Sequence, residues 1–321
     1  MQMLINGKWA RDFHPVQSTD AEGGFVREQS QFRNWITTDG SPGPTGEGGF
    51  VAEPDRYHLY VALICPWASR TLMARRLKGL EDVISLTVLD PRLTEKVWRF
   101  GDDRGSITGT QPDPLYGSEY LYQIYLRANS EYTGQITVPV LWDKHKETIV
   151  NNESSDIIRM FNDGFGKLAK ESIDLYPVDL RSEIDDVNER LYDHFNNGVY
   201  RAGFATTQVA YERAVREVFD SLDWIDQRLD KQHFLVGDRL TEADVRAFVT
   251  LIRFDLAYHG LFKTNLHQLR DYRNITAYMK RIYELPGIAD TVSPEHILTG
   301  YYSIRALNPS GIVPVGPTNL W

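Results

Sequence analysis

The sequence predicts a small α/β domain followed by an almost wholly helical domain, with an aromatic-rich arm ahead of them and a tail behind. Three observations carry this expectation. A strand–helix–strand pattern runs from Tyr57 to Leu89, two short strands and a helix follow between Ile136 and Phe161, and beyond about residue 170 the apolar spacing is helical. At 321 residues, two domains are the natural division for units of ~100–200 residues each. The expected boundaries are 1–53 for the arm, 54–165 for the α/β domain and 170–321 for the helical domain with its tail.

The arm contains Gly40–Gly49 (GSPGPTGEGG), where five glycines and two prolines in ten positions exclude helix and strand interiors. It also carries Trp9, Phe13, Phe25, Phe32, Trp35 and Phe50. Disordered tails are poor in aromatics, so the arm is expected to pack on the body. Tyr57–Ile64 is β-rich and ends at Cys65-Pro66, Ser69–Leu80 has helical spacing, and Val83–Leu89 is a second apolar strand. This order favours parallel pairing of the two strands. A helix is expected over Glu119–Ala128, antiparallel strands over Ile136–Trp142 and Glu147–Val150, and a helix from Glu153 to Phe161. In the second domain Val215, Val218, Phe219, Leu222, Ile225 and Leu229 share one helix face. Thr241-Glu242-Ala243-Asp244 starts another helix with a hydroxyl and a carboxylate three residues apart. A further helix spans Asn274–Glu284 and stops before Pro286-Gly287.

Composition narrows the function. The chain is 42% apolar and 25% charged, as globular proteins are, and its charge is 35 − 44 = −9. Proteins that grip nucleic acid by its phosphates carry the opposite balance, so no nucleic-acid partner is expected. No apolar run reaches the ~18 residues of a membrane span, and MQMLINGKWARDF lacks the basic flank and apolar stretch of a secretion signal. The expected compartment is the cytoplasm. The single cysteine excludes an internal disulfide, a CxxC pair and a cysteine-rich zinc site. The eight histidines show no metal-binding spacing, so no metal is expected. Any thiol redox chemistry must use an external thiol.

Cys65 is the first candidate for chemistry. A cysteine after a strand, with proline in the first helical turn, sits where unpaired N–H groups and the helix dipole favour thiolate. A buried, inert thiol is the commoner fate of a lone cysteine. Pro139 interrupts an apolar strand, which marks an edge or a strand start. Cis bonds are only ~5–6% of X–Pro bonds, which favours that plain reading, but its position 74 residues (139 − 65) after Cys65, just before a hairpin, shifts the weighting towards a cis Val138–Pro139 bond that would face the Val138 backbone to a ligand. Glu153-Ser154 opens a helix, where such residues usually serve as caps. The same groups suit the ammonium and carboxylate of an amino-acid-like ligand.

These pieces together resemble the glutathione S-transferase superfamily, with its thioredoxin-like domain followed by an all-α C-terminal domain. SQFRNW (Ser30–Trp35), the GPTGEGGF run ending at Phe50, RYHLYVALICPWA (Arg56–Ala68), TVPVLWDK (Thr137–Lys144), NNGVYRAGFA (Asn196–Ala205) and LTEADVR are similar to the glutathionyl-hydroquinone reductases, the Xi class. The resemblance covers nearly the whole chain. It implies glutathione as co-substrate, Cys65 as nucleophile and Trp98 as a cover over the glutathione. It further implies Gln135, Ile136, Thr137 and Val138 as the strand edge for the glutathione backbone, and Glu153 with Ser154 at its γ-glutamyl end. Tyr200 matches the catalytic tyrosine, and Tyr258 and Tyr301 match tyrosines whose hydroxyls hold the cysteine as thiolate. Ser69 and Gln135 stand where relatives often carry histidine and arginine, and losing the arginine weakens a carboxylate contact. A homodimer through the helical domain is also implied.

The implied activity is reduction of a glutathionyl-hydroquinone through a Cys65–glutathione mixed disulfide, resolved by a second glutathione as GSSG. Two alternatives share the cysteine. One is another Cys-type transferase activity, on dehydroascorbate or protein–glutathione disulfides. The other is a non-catalytic scaffold or redox sensor.

Overall fold

A computed structural model describes residues 3–10, 19–102 and 106–317. Phe13 of the arm lies outside the described residues. The chain forms two compact units: Met1–Pro15, Gln29–Ile173 and Thr291–Ser303 make the first, and Val16–Glu28, Asp174–Asp290 and Ile304–Trp321 make the second.

The arm opens with β1 (Met3–Ile5) and β2 (Lys8–Trp9), joined by an Asn6-Gly7 turn with both residues at positive φ. Asn-Gly is the favoured pair for such a two-residue hairpin, and this short signal is absent from the expectations above. Next come β3 (Tyr57–Val61), α1 (Pro66–Leu77), β4 (Ile84–Val88) and α2 (Tyr122–Ala128). They are followed by β5 (Gly134–Gln135), β6 (Val140–Asp143), β7 (Thr148–Asn151) and α3 (Ser154–Arg159). The main sheet has the order β4-β3-β6-β7, with β3 parallel to β4 and antiparallel to β6. All five residues of β3 are buried, as befits an interior strand covered on both faces. Arg56, just before β3, holds the fully buried Asp143 at the end of β6 through Nη2–Oδ2 at 2.6 Å.

The structure divides the expected Ile136–Trp142 strand. Gly134–Gln135 joins β1 in a second sheet, Val140–Asp143 joins the main sheet, and 136–139 between them is irregular, with Val138–Pro139 cis. Pro139 has no N–H to give a ladder, so the strand cannot run through it. The Glu119–Ala128 helix likewise begins later, at Tyr122. The Gln123 side-chain oxygen takes the Glu119 and Tyr120 N–H groups at 2.8 and 2.9 Å, holding that stretch out of the helix.

Arm residues 32–34 lie along β7. Asn34 N–H donates to Val150 O (3.0 Å), and Asn151 Nδ2 donates back to Asn34 O (3.0 Å). This occupies a strand edge that would otherwise stay unpaired. The glycine run then folds over Trp35: a Cβ on Gly43 would lie 2.3 Å from Trp35 Cγ, so only glycine fits there.

The second unit contains α4 (Arg181–Leu191), α5 (Gly198–Gly203), α6 (Gln208–Leu229) and α7 (Glu242–Arg253), then a short α8 (His259–Leu261) and α9 (Arg273–Tyr283). Thr207 caps α6, whose stripe from Ala210 through Val218, Leu222 and Ile225 to Leu229 is buried. Asp244 anchors the start of α7. Its carboxylate accepts from Thr241 N (2.8 Å), Leu235 N (2.8 Å) and Tyr278 Oη (2.9 Å), while burial pushes its carboxyl up to about 6. Asp226 caps α9 by accepting the Asn274 and Ile275 N–H groups at 3.0 Å. Among the described residues no helix is long and apolar enough to cross a membrane.

Candidate active site

Cys65 is the residue from which α1 starts. After β3 the chain turns, Cys65 N–H donating to Ala62 O (2.9 Å), and the Cys65 carbonyl accepts the Ser69 N–H (3.0 Å). Cys65 itself has extended φ and ψ (−79°, 119°), and Pro66 occupies the first helical turn. The thiol is half-buried, and its Sγ lies 3.7 Å from Val138 O. Folding therefore brings the cysteine beside the cis-proline segment, 73 residues away in sequence (138 − 65).

That segment is held open by aromatic donors. Tyr132 Oη donates to Gln135 O (3.0 Å), Trp98 Nε1 to Ile136 O (3.1 Å) and Tyr125 Oη to Thr137 O (2.8 Å). Asn152 Nδ2 donates to Tyr125 Oη (3.2 Å), so the phenol is itself fixed. Burial raises Tyr125 above the ordinary phenol range, keeping it a neutral donor. Three successive carbonyls are thus satisfied, and the Val138 N–H meets no acceptor among the described residues. Trp98, expected as a cover over the glutathione, is buried, with its indole N–H on the Ile136 carbonyl. Tyr125 and Tyr132 were not singled out in sequence, because nothing local distinguishes them among 17 tyrosines.

Glu153 caps α3, and Ser154 is its buried first residue. Glu153 Oε1 accepts from Ser155 N and Ser155 Oγ, both at 3.1 Å, and Oε2 accepts from Ser30 Oγ at 3.1 Å. Burial opposes its charge, but the Ser155 donors, the Arg70 cation and Ser30 outweigh it and hold the carboxyl below the ordinary range. Glu153 is an anion at neutral pH. One turn on, Asp156 pairs with Arg33 (Nη2–Oδ1 2.8 Å) and accepts from Asn151 Nδ2 at 3.1 Å. Ser30 and Arg33 both lie in the SQFRNW segment, which buttresses the α3 cap. The guanidinium of the buried Arg70 sits 4.3 Å from the Trp67 ring centroid, one helical turn beyond Cys65.

The expected tyrosines divide between the units. Tyr301 is buried on the helix Pro294–Tyr302, which belongs to the first unit with Cys65. Gly300 packs there so closely that a Cβ would lie 2.6 Å from Ile64 Cδ1, next to Cys65. The neighbouring Tyr302 is half-buried, and burial raises its phenol. Tyr200 and Tyr258 belong to the second unit, with ring centroids 5.9 Å apart. Phe262 packs against both, at 5.4 and 5.2 Å.

A thiol at a helix start, a backbone N–H beside it and an anionic cap are the groups needed to hold a γ-glutamyl peptide thiol. The description "Glutathione S-transferase, N-terminal domain" matches residues 64–163, and "Glutathione S-transferase, C-terminal domain" matches residues 208–281. The chain is 51% identical to glutathionyl-hydroquinone reductase YqjG of Escherichia coli (strain K12) over 318 residues, covering 99% of this chain and 95% of that one. The glutathione-bound structure of YqjG superposes with a TM-score of 0.90 at 48% identity, covering 99% and 96% of the two chains. The glutathione S-transferase Xi of Phanerochaete chrysosporium superposes with a TM-score of 0.88 at 46% identity, covering 95% and 98%. The chain belongs to the glutathionyl-hydroquinone reductases, the Xi class of the glutathione S-transferase family.

Proposed function

We propose that this protein reduces glutathionyl-hydroquinones to hydroquinones with glutathione as reductant, and that Cys65 is the nucleophile. The observation that carries the proposal is Cys65 at the start of α1 beside Val138. A hydroxyl in that position would hold a glutathione thiolate for conjugation, whereas a thiolate there can attack the sulfur of a glutathione conjugate and take up the glutathionyl group as a mixed disulfide, the ring carbon leaving with the electron pair.

In the proposed site the Val138 N–H and C=O pair with the glutathione backbone along Gln135–Val138, with Trp98 beside it. Anionic Glu153 holds the γ-glutamyl ammonium, and Ser154 its carboxylate. Cys65 thiolate attacks the conjugate's sulfur, an S–S bond forms, and the carbon–sulfur bond breaks with its electron pair on the ring carbon. Tyr200 relays a proton from the ring hydroxyl to that carbon, so no bare carbanion leaves. Tyr258 and Tyr301 stabilise the Cys65 thiolate. A second glutathione thiolate then attacks the mixed disulfide, releasing GSSG and regenerating Cys65. The net change is one carbon–sulfur bond reduced and two glutathiones oxidised to one disulfide. Residues 54–165 supply glutathione binding, and 170–321 supply the ring pocket and a homodimer interface. The cytoplasm, which keeps lone thiols reduced, suits this chemistry.

The test sets a glutathionyl-hydroquinone beside a glutathione mixed disulfide. Thioether cleavage lost in Cys65→Ala supports the proposal. Turnover of the disulfide alone assigns the protein to disulfide reduction, and turnover of neither makes it a scaffold.

A further inference from the structure

We propose that Arg27, in the arm, is a positioning residue for proton transfer by Tyr200, its cation over the phenol ring favouring ring substrates over disulfides. This rests on the assignment of Tyr200 as the proton relay made above.

The arm segment Glu22–Arg27 is bound at both ends of α5, the helix that bears Tyr200. At one end Thr206 N–H donates to Gly23 O (3.0 Å) and Thr207 Oγ1 donates to Glu22 O (2.8 Å). At the other, Arg27 Nε donates to Asn197 Oδ1 (2.7 Å), and the Asn197 carbonyl accepts the Tyr200 N–H (2.9 Å). Asn197 is 7% exposed, so this hydrogen bond is shielded from water. Between these anchors Phe25 packs on Tyr200 and Phe204, with ring centroids 6.5 and 6.2 Å apart. The Arg27 guanidinium carbon lies 5.2 Å from the Tyr200 ring centroid, within reach of a cation–π interaction. Packing around the ring is completed by Phe204, the C-terminal cap of α5, and by Tyr258 and Phe262 from the segment after α7.

A cation over the ring face interacts more strongly with the electron-rich phenolate than with the phenol. The interaction therefore strengthens as Tyr200 gives up its proton, which is the condition for accelerating a step. Displacing a thiolate from a disulfide needs no protonation of carbon, so that reaction gains nothing from Arg27. The hydrogen bond to Asn197 fixes where the cation sits, and the charge does the work.

The experiment measures kcat on a glutathionyl-hydroquinone and on a glutathione mixed disulfide for the full-length parent and for Arg27→Lys, Arg27→Gln, Tyr200→Phe and Arg27→Gln/Tyr200→Phe. A cation–π contribution of this kind predicts a loss of roughly three- to tenfold in ring-substrate kcat for Arg27→Gln, with disulfide turnover unchanged. Arg27→Lys, which keeps the charge, recovers most of that loss. In the Tyr200→Phe background Arg27→Gln has no further effect, because the hydroxyl through which it acts is gone. Parental ring turnover in Arg27→Gln overturns the proposal, as does an equal fall on both substrates or a full further loss in the double variant. If Tyr200→Phe itself keeps ring turnover, the relay assignment fails and takes this proposal with it. If Tyr200→Phe loses ring turnover while Arg27→Gln does not, only this proposal fails.

Discussion

His58 ties stability to pH in a way that can be worked from the structure. It lies on β3 and is 1% exposed. Its Nδ1 is 2.7 Å from Ser85 Oγ and its Nε2 is 2.9 Å from Thr87 Oγ1, both on the parallel strand β4. Ser85 Oγ also lies 3.3 Å from Tyr57 O, so both ring nitrogens of a neutral imidazole find hydroxyl partners. Burial, reinforced by Lys144 and Arg75 against an opposing Asp113, depresses its pKa from 6.5 to about 4. The unfolded chain therefore binds a proton near pH 6.5 that the folded chain refuses until about pH 4. Stability from this group is complete above 6.5 and is lost as pH falls through that window. At 1.36 kcal/mol per pH unit, the loss is about 2 kcal/mol by pH 5 and about 3 kcal/mol by pH 4. Asp244, raised to about 6, acts with the opposite sign: its folded form binds protons that the unfolded form has released, so its contribution falls as pH rises towards 6. The parent's pH profile alone therefore does not report His58. Urea unfolding of the parent and of His58→Gln between pH 7 and pH 4 isolates it as a difference. The gap between the two curves should shift by about 2 kcal/mol between pH 7 and pH 5. Parallel curves would refute the buried neutral histidine.

Other perturbations have equally direct outcomes. Glu153→Gln removes the anion while keeping the cap's shape, so KM for glutathione should rise about tenfold or more with little change in melting temperature, and an unchanged KM would place the ammonium elsewhere. Asp143→Ala leaves the buried Arg56 cation only the exposed Glu53 carboxylate at 3.5 Å and the Gly49 carbonyl at 3.2 Å, and should cost about 3 kcal/mol by chemical denaturation. Asp244→Ala deprives the Thr241, Leu235 and Tyr278 donors of their acceptor and should cost roughly 3–5 kcal/mol, whereas a loss under 1 kcal/mol would show that water replaces the carboxylate. Sedimentation at micromolar concentration should give about twice the 36.9 kDa chain mass, and a clean monomer contradicts the proposed dimer.

What the sequence by itself determined is local. The apolar run of β3, the Cys65-Pro66 helix start, the Thr241–Asp244 cap and the stripe of α6 each depend on residues a few positions apart, and each stands in the structure. Pro139 was legible as an interruption because a missing N–H is a property of the residue itself. The Xi-class motifs extended that reading to residues such as Tyr200 that no spacing rule selects. Tertiary structure decided which groups meet across long loops. Ser30 reaches Glu153, Arg33 reaches Asp156, and Tyr132, Trp98 and Tyr125 satisfy three successive carbonyls beside a Val138 N–H that meets no acceptor among the described residues. Arg27 lies over Tyr200, 173 positions later (200 − 27). The arm contributes to both units, and the helix carrying Tyr301 joins the first although it follows the second in sequence. Hydrogen bonds and ring contacts between distant segments leave no periodic trace, because periodicity records only which face of an element is buried and not what buries it.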